Sequence, residues 1–472
     1  MATLPTGFGR NHRYLRQGPC HYWRMSRSTR PYAPDPGHRL PAAPSAAIAA
    51  FAACLAADIA AAQSLSFIQL PPPASPRDLL YNPISNKLYA ANTPQTGAPS
   101  SESVSIIDGA TNAVIATVPM AAGPRDFCLN TQSNKAYVAN YFADSVTVLD
   151  GATDQVLAVI PVGDGPRALC YASAGNRIYC ANEFSANVTV IDGTTNAVVA
   201  TVPVGSTPRV ICYNPTSDKI YCPNAGSQSV SVISGSTNTV IATVAVGNVP
   251  RGILFNPQSN RVYCSNYGSD TVSVIDGVTN AVVATVPVGD GPTAMGHNPI
   301  GNKVYVSNVG APGPGTPAVC SVSVISGASS TVVKTLTAGD EPTAFCYGAN
   351  DRRMYWINEW SHSIAGVDAA TDEQVVLVPL AAAGTQVQPV DIAYNSSNGR
   401  VYTANRLTMA IGVLATVRAG CAADLDGSGS VDGEDLGALL SGWGTPGTTD
   451  LDGSGATDGA DLAVLLGGWG PC

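Results

Sequence analysis

The chain has 472 residues, a net charge of −9, 12% charged residues, 47 glycines and 35 prolines. The charged fraction is about half of the usual share for soluble proteins. With no excess of basic residues, the composition excludes a nucleic-acid binder that works through net charge. The glycine and proline content argues against a helical bundle and favours short strands joined by turns.

Residues 1–62 have the features of a secretory leader. This segment carries seven arginines against two aspartates, and an apolar run at 46–57 is followed by alanines at 60–62. A positive segment, an apolar run and a small-residue cleavage site are typical of a signal peptide, and the run is shorter than the roughly 20 residues of a membrane span. The alternatives are a disordered basic tail, or a lipoprotein anchor at Cys54. Translation from Met25 rather than Met1 would leave a leader of ordinary length. We therefore expect a secreted or cell-surface protein without a transmembrane segment.

An internal repeat begins after the leader. Eight units each start with a proline that follows a polar or glycine-rich link, at intervals of 42 to 50 residues. These prolines are Pro76, Pro124, Pro166, Pro208, Pro250, Pro292, Pro342 and Pro389. A period of this length, built from short strands, is typical of a β-propeller.

The unit that starts at residue 209 shows the strand pattern. RVICY reads as a first strand, a, and KIYCPN as a second, b, with the turn NPTSD between them. SVSVIS alternates with period two and reads as strand c. GSTN is a second turn, and TVIATVAV is strand d. Such a four-stranded sheet cannot bury both faces alone, so we expect the sheets to stack around an axis.

Two residue types recur in strand b of every unit. A tyrosine lies in the middle of the strand and an asparagine ends it. We expect each tyrosine to fill the gap between blades and each asparagine to bond nearby backbone. The tyrosines are Tyr89, Tyr137, Tyr179, Tyr221, Tyr263, Tyr305, Tyr355 and Tyr402, and the asparagines are Asn92, Asn140, Asn182, Asn224, Asn266, Asn308, Asn358 and Asn405.

The ends of the repeat region predict how the ring closes. The last unit, from Pro389, has strands a, b and c but lacks a clear strand d. Residues 64–70 form an orphan strand that precedes Pro76 as strand d precedes the proline elsewhere. We expect this strand to complete the last blade and give eight blades. A seven-bladed ring with one unit spare is the alternative.

The repeats resemble the YVTN-type surface-layer propellers. The resemblance lies in NPISNKLYAAN (82–92) and SVIDGVTNAVVATVPVG (273–289), and it extends over residues 63–418. It implies an all-β propeller, but it says little about function because such folds host many roles.

Residues 419–472 contain two acidic 12-residue loops. Oxygen-bearing residues lie at positions 1, 3, 5, 9 and 12, a backbone carbonyl is expected at position 7, and glycine occupies position 6. Ca²⁺ takes six to eight such oxygens, so each loop predicts one calcium ion. The alternative is a pair of acidic glycine turns without metal. The ligands are Asp424, Asp426, Ser428, the Ser430 carbonyl, Asp432 and Asp435 in the first loop, and Asp450, Asp452, Ser454, the Ala456 carbonyl, Asp458 and Asp461 in the second.

This duplicated loop followed by one helix resembles a dockerin. The resemblance implies a small α-helical, EF-hand-like module that docks onto a cohesin-like partner protein. Position 5 carries serine in both loops. Positions 10 and 11, which carry the family's partner-recognition residues, also depart from its pattern: they hold Gly433 and Glu434, then Gly459 and Ala460. We expect Trp443 and Trp469, each between two glycines, to pack in the core of this module.

The cysteines allow two kinds of disulfide. Cys421 and Cys472 flank the C-terminal module and could clasp its ends. Cys170 with Cys180, and Cys212 with Cys222, lie on strands a and b of two units and could form cross-strand disulfides. The alternative is that these four are small buried residues.

No catalytic constellation is evident. After the leader only His297 and His362 remain, in different units, and no metalloprotease, P-loop or C-x-x-C motif is present. We therefore expect no catalytic residues, although scattered carboxylates leave acid–base chemistry open.

Two sets of residues suggest ligand binding instead. Strand a normally lines a propeller's channel, so arginines that follow the repeat proline could form an anion site, unless they pair with aspartates such as Asp78, Asp126 or Asp164. Aromatic residues on the b–c loops suit recognition of a polysaccharide or a protein. The arginines are Arg77, Arg125, Arg167, Arg209 and Arg251, and the loop residues are Tyr141, Phe142, Phe184, Tyr267, Trp360 and His362.

The sequence thus predicts a non-catalytic binding platform with a calcium-dependent attachment module. An extracellular lyase or hydrolase that acts on polymers in the channel is one alternative. A surface-layer or adhesion protein is another.

Overall fold

The computed structural model describes most of the repeat region and parts of the C-terminal module. The described residues are 64–93, 102–310, 319–381, 385–416, 425, 430–431, 433–444, 449, 457–467 and 470–471. The predicted leader lies outside them. Among the described residues, no helix is both long and apolar enough to span a membrane.

The repeat region forms an eight-bladed β-propeller. Each blade is a four-stranded antiparallel sheet in the order a–b–c–d. The first four blades contain β2 Pro76–Asn82, β3 Lys87–Asn92, β4 Ser103–Asp108 and β5 Val114–Pro119; β6 Pro124–Asn130, β7 Lys135–Asn140, β8 Ser145–Asp150 and β9 Val156–Pro161; β10 Pro166–Ala172, β11 Arg177–Asn182, β12 Asn187–Asp192 and β13 Val198–Pro203; and β14 Cys212–Asn214, β15 Lys219–Asn224, β16 Ser229–Ser234 and β17 Val240–Ala245.

The last four blades follow the same order. They contain β18 Pro250–Asn256, β19 Arg261–Asn266, β20 Thr271–Asp276 and β21 Val282–Pro287; β22 Pro292–Asn298, β23 Lys303–Asn308, β24 Ser321–Ser326 and β25 Val332–Thr337; β26 Pro342–Gly348, β27 Arg353–Asn358, β28 Ser363–Asp368 and β29 Gln374–Pro379; and β30 Pro389–Asn395, β31 Arg400–Asn405 and β32 Ala410–Ala415, completed by β1 Ser64–Gln69.

The predicted closure is confirmed. β1 pairs antiparallel with β32, from Ser64 opposite Ala415 to Gln69 opposite Ala410. Ile68 and Leu70 are buried in the core between the last and the first blade. The eighth blade therefore joins the two ends of the repeat region, and the seven-bladed alternative is wrong.

The hydrophobic core lies between blades, and the repeated tyrosines cross it. All eight are fully buried. The Tyr179 hydroxyl, for example, donates to Asn238 Oδ1 in the next blade at 2.7 Å. Each tyrosine therefore fills the gap as expected, and several also tie their blade to a turn of the next.

The repeated asparagines differ from the prediction. The Asn140 amide donates to the side chains of Ser145 and Thr147 in strand c of its own blade, at 3.2 and 2.8 Å. In seven of the eight blades the amide joins strands b and c through side chains, where nearby backbone was expected. Asn358 Oδ1 also accepts a backbone N–H, that of Gly339, at 3.1 Å.

Each of the seven c–d turns contains a residue in the left-handed conformation. It is an asparagine in four blades, such as Asn112 with φ 62°, and Asp154, Ser330 and Asp372 in the other three. The glycine of the turn is required by close packing instead, because a Cβ at Gly109 would lie 2.6 Å from the Asn86 carbonyl oxygen. The fourth blade also differs from the prediction. Its strand a covers only Cys212–Asn214 and is shorter than the predicted RVICY. Residues 209–211 lie outside the strand, although Pro208 forms an isolated bridge with Asn224.

The predicted cross-strand disulfides are absent. Cys170 lies opposite Tyr179 and Cys180 opposite Leu169, so the two thiols are one position out of register and point to opposite faces of the sheet. Cys212 and Cys222 show the same offset. All four are free thiols, and burial raises the pKa of Cys222 to about 12. They are packing residues between blades.

The described part of the C-terminal module contains two short helices, α1 Gly433–Ser441 and α2 Gly459–Gly467, and a two-stranded pair, β33 Ser430–Val431 with β34 Gly470–Pro471. Val431, Leu439 and Leu465 form its buried core. Trp443 is 46% exposed, so the prediction that it packs in this core is wrong. Trp469, Cys421 and Cys472 lie outside the described residues.

Candidate functional site at the channel mouth

A β-bulge at the start of strand a turns the arginines toward the centre of the ring. The first strands of successive blades contact one another and surround the axis. In the first blade Pro76 pairs with Asn92 and Asp78 with Ala91, which leaves Arg77 as an unpaired extra residue. Such a bulge re-aims a side chain. The same skip occurs at Arg125, Arg167 and Arg251.

Side chains from four blades meet at this end of the ring. They line a cavity of about 250 Å³ that we call the channel mouth: Arg77, Arg125, Glu359, Val390 and Arg406. Two of the predicted arginines are therefore brought together, and Arg406 and Glu359 join them from the ends of two b strands.

The mouth holds more positive than negative charge. Burial, and then Arg406 and Arg125, lower the pKa of Arg77 to about 10. Nε of Arg77 and Nε of Arg406 are buried without a hydrogen-bond partner in the described structure. Glu359 is the one acidic residue of the lining; burial raises its pKa, and its Oε1 accepts a hydrogen bond from Gln388 Nε2 at 2.7 Å.

The other predicted arginines are neutralised or stacked. Glu183 is 5% exposed and accepts ion pairs from Arg167 at 2.9 Å and Arg209 at 2.7 Å. Burial alone would raise the pKa of Glu183, but Arg167, the Tyr141 hydroxyl and Arg209 hold it below its usual value. Arg251 lies over the Tyr267 ring, 3.7 Å from its centroid. The expected aspartate partners are thus replaced by a glutamate.

Two of the expected aspartates, Asp78 and Asp126, form a separate arc with Asp391 beside the arginines, whereas Asp164 is exposed in the loop before strand a of the third blade. Asp78, Asp126 and Asp391 each follow the bulge residue of strand a, in blades 1, 2 and 8. Asp391 Oδ2 accepts the Leu79 N–H at 2.8 Å and Asp126 Oδ2 accepts the Leu169 N–H at 2.6 Å, each in the following blade.

The pKa values of the aspartate arc are raised. Burial is the largest cause, and it raises the pKa of Asp126 to about 7 and that of Asp391 to about 6. Burial and the neighbouring Asp391 carboxylate raise the pKa of Asp78 well above its usual value. In the described part of the chain, no group of three or more His, Cys, Asp or Glu is arranged to hold a metal ion.

The two calcium loops are described only in part. Asp435, Asp458 and Asp461 are in the described structure, as is the backbone of Ser430 in β33. Asp435 and Asp461 are fully buried; Asp435 Oδ1 accepts the Leu425 N–H at 2.6 Å, and Asp461 Oδ2 accepts the Asp458 N–H at 2.7 Å. The remaining predicted ligands lie outside the described residues: Asp424, Asp426, Ser428, Asp432, Asp450, Asp452, Ser454 and Ala456.

The predicted loop aromatics divide into two groups. Phe142, Phe184 and Trp360 are at least half exposed. Tyr141 and Tyr267 lie under arginine guanidiniums instead. His297 and His362 lie in different blades, as predicted.

One comparison, with a family model, supports the propeller fold. A family model described as lactonase, 7-bladed β-propeller, matches residues 152–286, less than a third of the chain. No curated protein matches. Among solved structures, a hydrazine synthase chain from Kuenenia stuttgartiensis is 18% identical, with a TM-score of 0.49; the match covers 62% of this chain and 96% of that one.

Proposed function

We propose that this chain is a secreted, non-catalytic binding platform of the YVTN-like kind. Its propeller binds an anionic ligand at the channel mouth, and its C-terminal module attaches it to a partner protein in the presence of calcium. The observation that supports ligand binding is the meeting of three guanidiniums with one carboxylate in a single cavity.

The three guanidiniums of the channel mouth face only one carboxylate, that of Glu359. Placing like charges together in a partly desolvated cavity costs free energy, as the lowered pKa of Arg77 shows. A bound anion removes that cost, and a guanidinium offers a carboxylate two parallel N–H donors. The arginines repel one another in the free protein. A bound anion relieves this repulsion, and the relief adds to the free energy of anion binding.

Calorimetric titration with glucuronate tests this part of the proposal. We expect binding that weakens at least tenfold in the double variant Arg77→Gln, Arg406→Gln, and that weakens as salt is raised. The matched control is Arg251→Gln, which alters the same repeat position outside the cavity and leaves binding nearly unchanged. Equal affinity in all three proteins, or no binding to any, contradicts the proposal.

The C-terminal module supports a calcium site through its position-12 residues. Asp435 and Asp461 are carboxylates buried at the start of α1 and α2. Burying a carboxylate is costly unless hydrogen bonds or a cation compensate it. When bound, calcium would supply that charge and hold each loop against its helix.

Exposed apolar side chains on and just after these helices support a partner protein. Leu440, Trp443, Val464 and Leu466 are 40–53% exposed. A cohesin-like module is the proposed partner, and capture of secreted proteins by the full chain should require calcium. Leu440→Asp with Leu466→Asp should abolish capture, whereas Val278→Asp, an exposed propeller residue, should not.

A second candidate function is a hydrolase or lyase that acts on an extracellular polymer in the channel. The raised pKa of Asp78 beside Asp391 favours it, because a carboxyl whose pKa is raised toward neutral pH can act as a general acid. Release of product from polysaccharides or lactones, lost in Asp391→Asn, would establish this function in place of the binding platform.

A further inference from the structure

An aromatic shelf adjoins the channel mouth. It consists of Tyr141, Phe142 and Phe184 on the b–c turns of the second and third blades. The Tyr141 ring contacts Phe142 edge-on at 5.1 Å between centroids and Phe184 at 5.8 Å. Both phenylalanines are 64% exposed. Exposed aromatic rings packed on one another form a surface suited to binding a ligand.

The shelf is held rigidly by the loops before strand a. The Phe142 N–H donates to the backbone carbonyl of Ala122 at 3.0 Å, and the Phe184 N–H donates to the backbone carbonyl of Asp164 at 3.1 Å. The rings lie over Gly123 and Gly165, which have φ of 78° and 67° and leave no room for a Cβ. Since the rings are fixed before a ligand arrives, little ordering cost opposes binding.

Arg125 connects the shelf to the mouth. It lines the cavity, and its guanidinium lies 4.9 Å from the centroid of the Tyr141 ring. The Tyr141 hydroxyl donates to Glu183 at 2.9 Å, which fixes the ring from the other side. A ligand held by the arginines would therefore extend over the aromatic rings.

The charges around the shelf restrict the ligand. Asp144 and Asp164 are exposed beside it, and Asp144 Oδ1 accepts the Gly165 N–H at 2.9 Å. A chain with one negative charge per unit, such as a single-stranded nucleic acid, would bring further charges toward these carboxylates. The site favours one anionic end followed by a neutral body with an apolar face.

We infer that the mouth and the shelf together bind an oligosaccharide that ends in a uronate. The inference rests on the proposed anion site and extends it. The terminal carboxylate pairs with Arg77, Arg125 and Arg406, and the C–H face of the next, neutral sugar stacks on Phe142 and Phe184, whose ring faces are electron-rich. The cavity of about 250 Å³ is below the roughly 300–1,000 Å³ of drug-sized sites, so it takes one ring.

Three probes separate the two parts of the site in calorimetric titrations. They are glucuronate, a disaccharide of glucuronate linked to glucose, and cellobiose as the neutral disaccharide. We expect the acidic disaccharide to bind about tenfold or more tightly than glucuronate, because its neutral sugar adds a contact with the faces of Phe142 and Phe184. Cellobiose should bind far more weakly than both.

The double variant Phe142→Ala, Phe184→Ala should lose at least tenfold in affinity for the acidic disaccharide and less than threefold for glucuronate. Phe142→Leu with Phe184→Leu keeps apolar bulk without a ring face and should lose most of the same affinity. Phe67→Ala removes an exposed ring from β1 and is the control. Unchanged melting curves would show that these variants fold.

The outcomes distinguish the uronate-oligosaccharide inference from the proposed anion site on which it rests. If glucuronate binds through Arg77 and Arg406 but the disaccharide gains nothing from the phenylalanines, the uronate-oligosaccharide inference is overturned and the anion site remains. If glucuronate does not bind, both fail. Tighter binding of oligothymidylate than of the acidic disaccharide would also overturn the inference.

Discussion

Asp391 Oδ2 accepts a hydrogen bond from the Leu79 N–H at 2.8 Å, across the junction where the last blade meets the first. Asp126 makes the equivalent bond to Leu169 between the second and third blades. Two carboxyls whose pKa values are raised to about 6 and about 7 therefore contribute to contacts between blades.

These carboxyls should make the propeller less stable as pH rises. The unfolded chain loses both protons near pH 4, whereas the folded protein keeps them until pH 6–7. Because the folded state binds more protons in this window, the free energy of unfolding falls between pH 4 and 7. The ionised carboxyls, crowded with Asp78, oppose folding above it.

Asp126→Asn should therefore stabilise the protein at pH 8 by roughly 1–2 kcal/mol, since one pKa unit is about 1.4 kcal/mol and the partial exposure of Asp126 lets solvent screen part of the effect. Asparagine keeps a carbonyl acceptor for the Leu169 N–H, so the variant should differ little from the parent at pH 4. Thermal melts across this pH range measure the effect. A larger gain at pH 4 than at pH 8 would contradict the assigned pKa.

Removal of β1 should open the ring. Deletion of residues 64–70 removes a strand of the eighth blade together with buried Ile68 and Leu70, so we expect a sharp drop in melting temperature. Ile68→Ala alone should cost about 2–4 kcal/mol, as do other large-to-small changes in a core. Phe67→Ala, on the same strand but 43% exposed, should cost much less. Equal melting curves for all four proteins would show that the closure contributes little.

Glu183→Gln should leave Arg167 and Arg209 without their common counter-charge. We expect a loss of about 1–3 kcal/mol near pH 7, less than for a fully buried pair because both arginines are partly exposed. The pKa of Glu183 is lowered, so its contribution is present above the unfolded value near 4.5 and is lost as pH falls through the folded value. Urea denaturation at pH 7 and pH 3 measures this difference. Glu373→Gln, on an exposed turn, is the control and should have little effect at either pH.

The fold was predictable because its determinants repeat. Pro76 and its seven equivalents mark the blade period, and the orphan strand before Pro76 identifies the closure. The disulfide hypothesis failed because a ten-residue spacing says which strands two cysteines occupy but not their register. Cys170 and Cys180 are offset by a single position, which places them on opposite faces.

The site was only partly predictable because it depends on positions that do not repeat. Arg406 and Glu359 each follow the repeated asparagine of strand b, where other units carry threonine, tyrosine, glutamate, alanine or valine. This position varies among the units although the asparagine before it is constant. That variation was a signal by which Arg406 and Glu359 could have been found. Arg77 and Arg406 lie in the first and the last blade, so that they line one cavity depends on which blades are neighbours in the closed ring.

Calcium binding by the C-terminal module gives the last prediction. Each loop supplies its own ligands, so the full chain should bind two ions, and Asp435→Asn should reduce this to one by replacing the position-12 carboxylate of the first loop with a neutral amide. Glu434→Gln alters the neighbouring residue, which is not a ligand in the loop pattern, and should still bind two. Serine at position 5 gives each loop one charge fewer than aspartate would, so Ser428→Asp should bind calcium more tightly.

Calcium should also stabilise the fold of the C-terminal module. Because three buried apolar side chains form its small core, the free energy of calcium binding should appear as free energy of folding. Calorimetric titration gives the stoichiometry, and chymotrypsin should cut at the leucines of α1 and α2 faster in chelator than in millimolar calcium. If chelator leaves the cleavage rate unchanged and titration shows no bound ion, these loops are acidic turns without a metal.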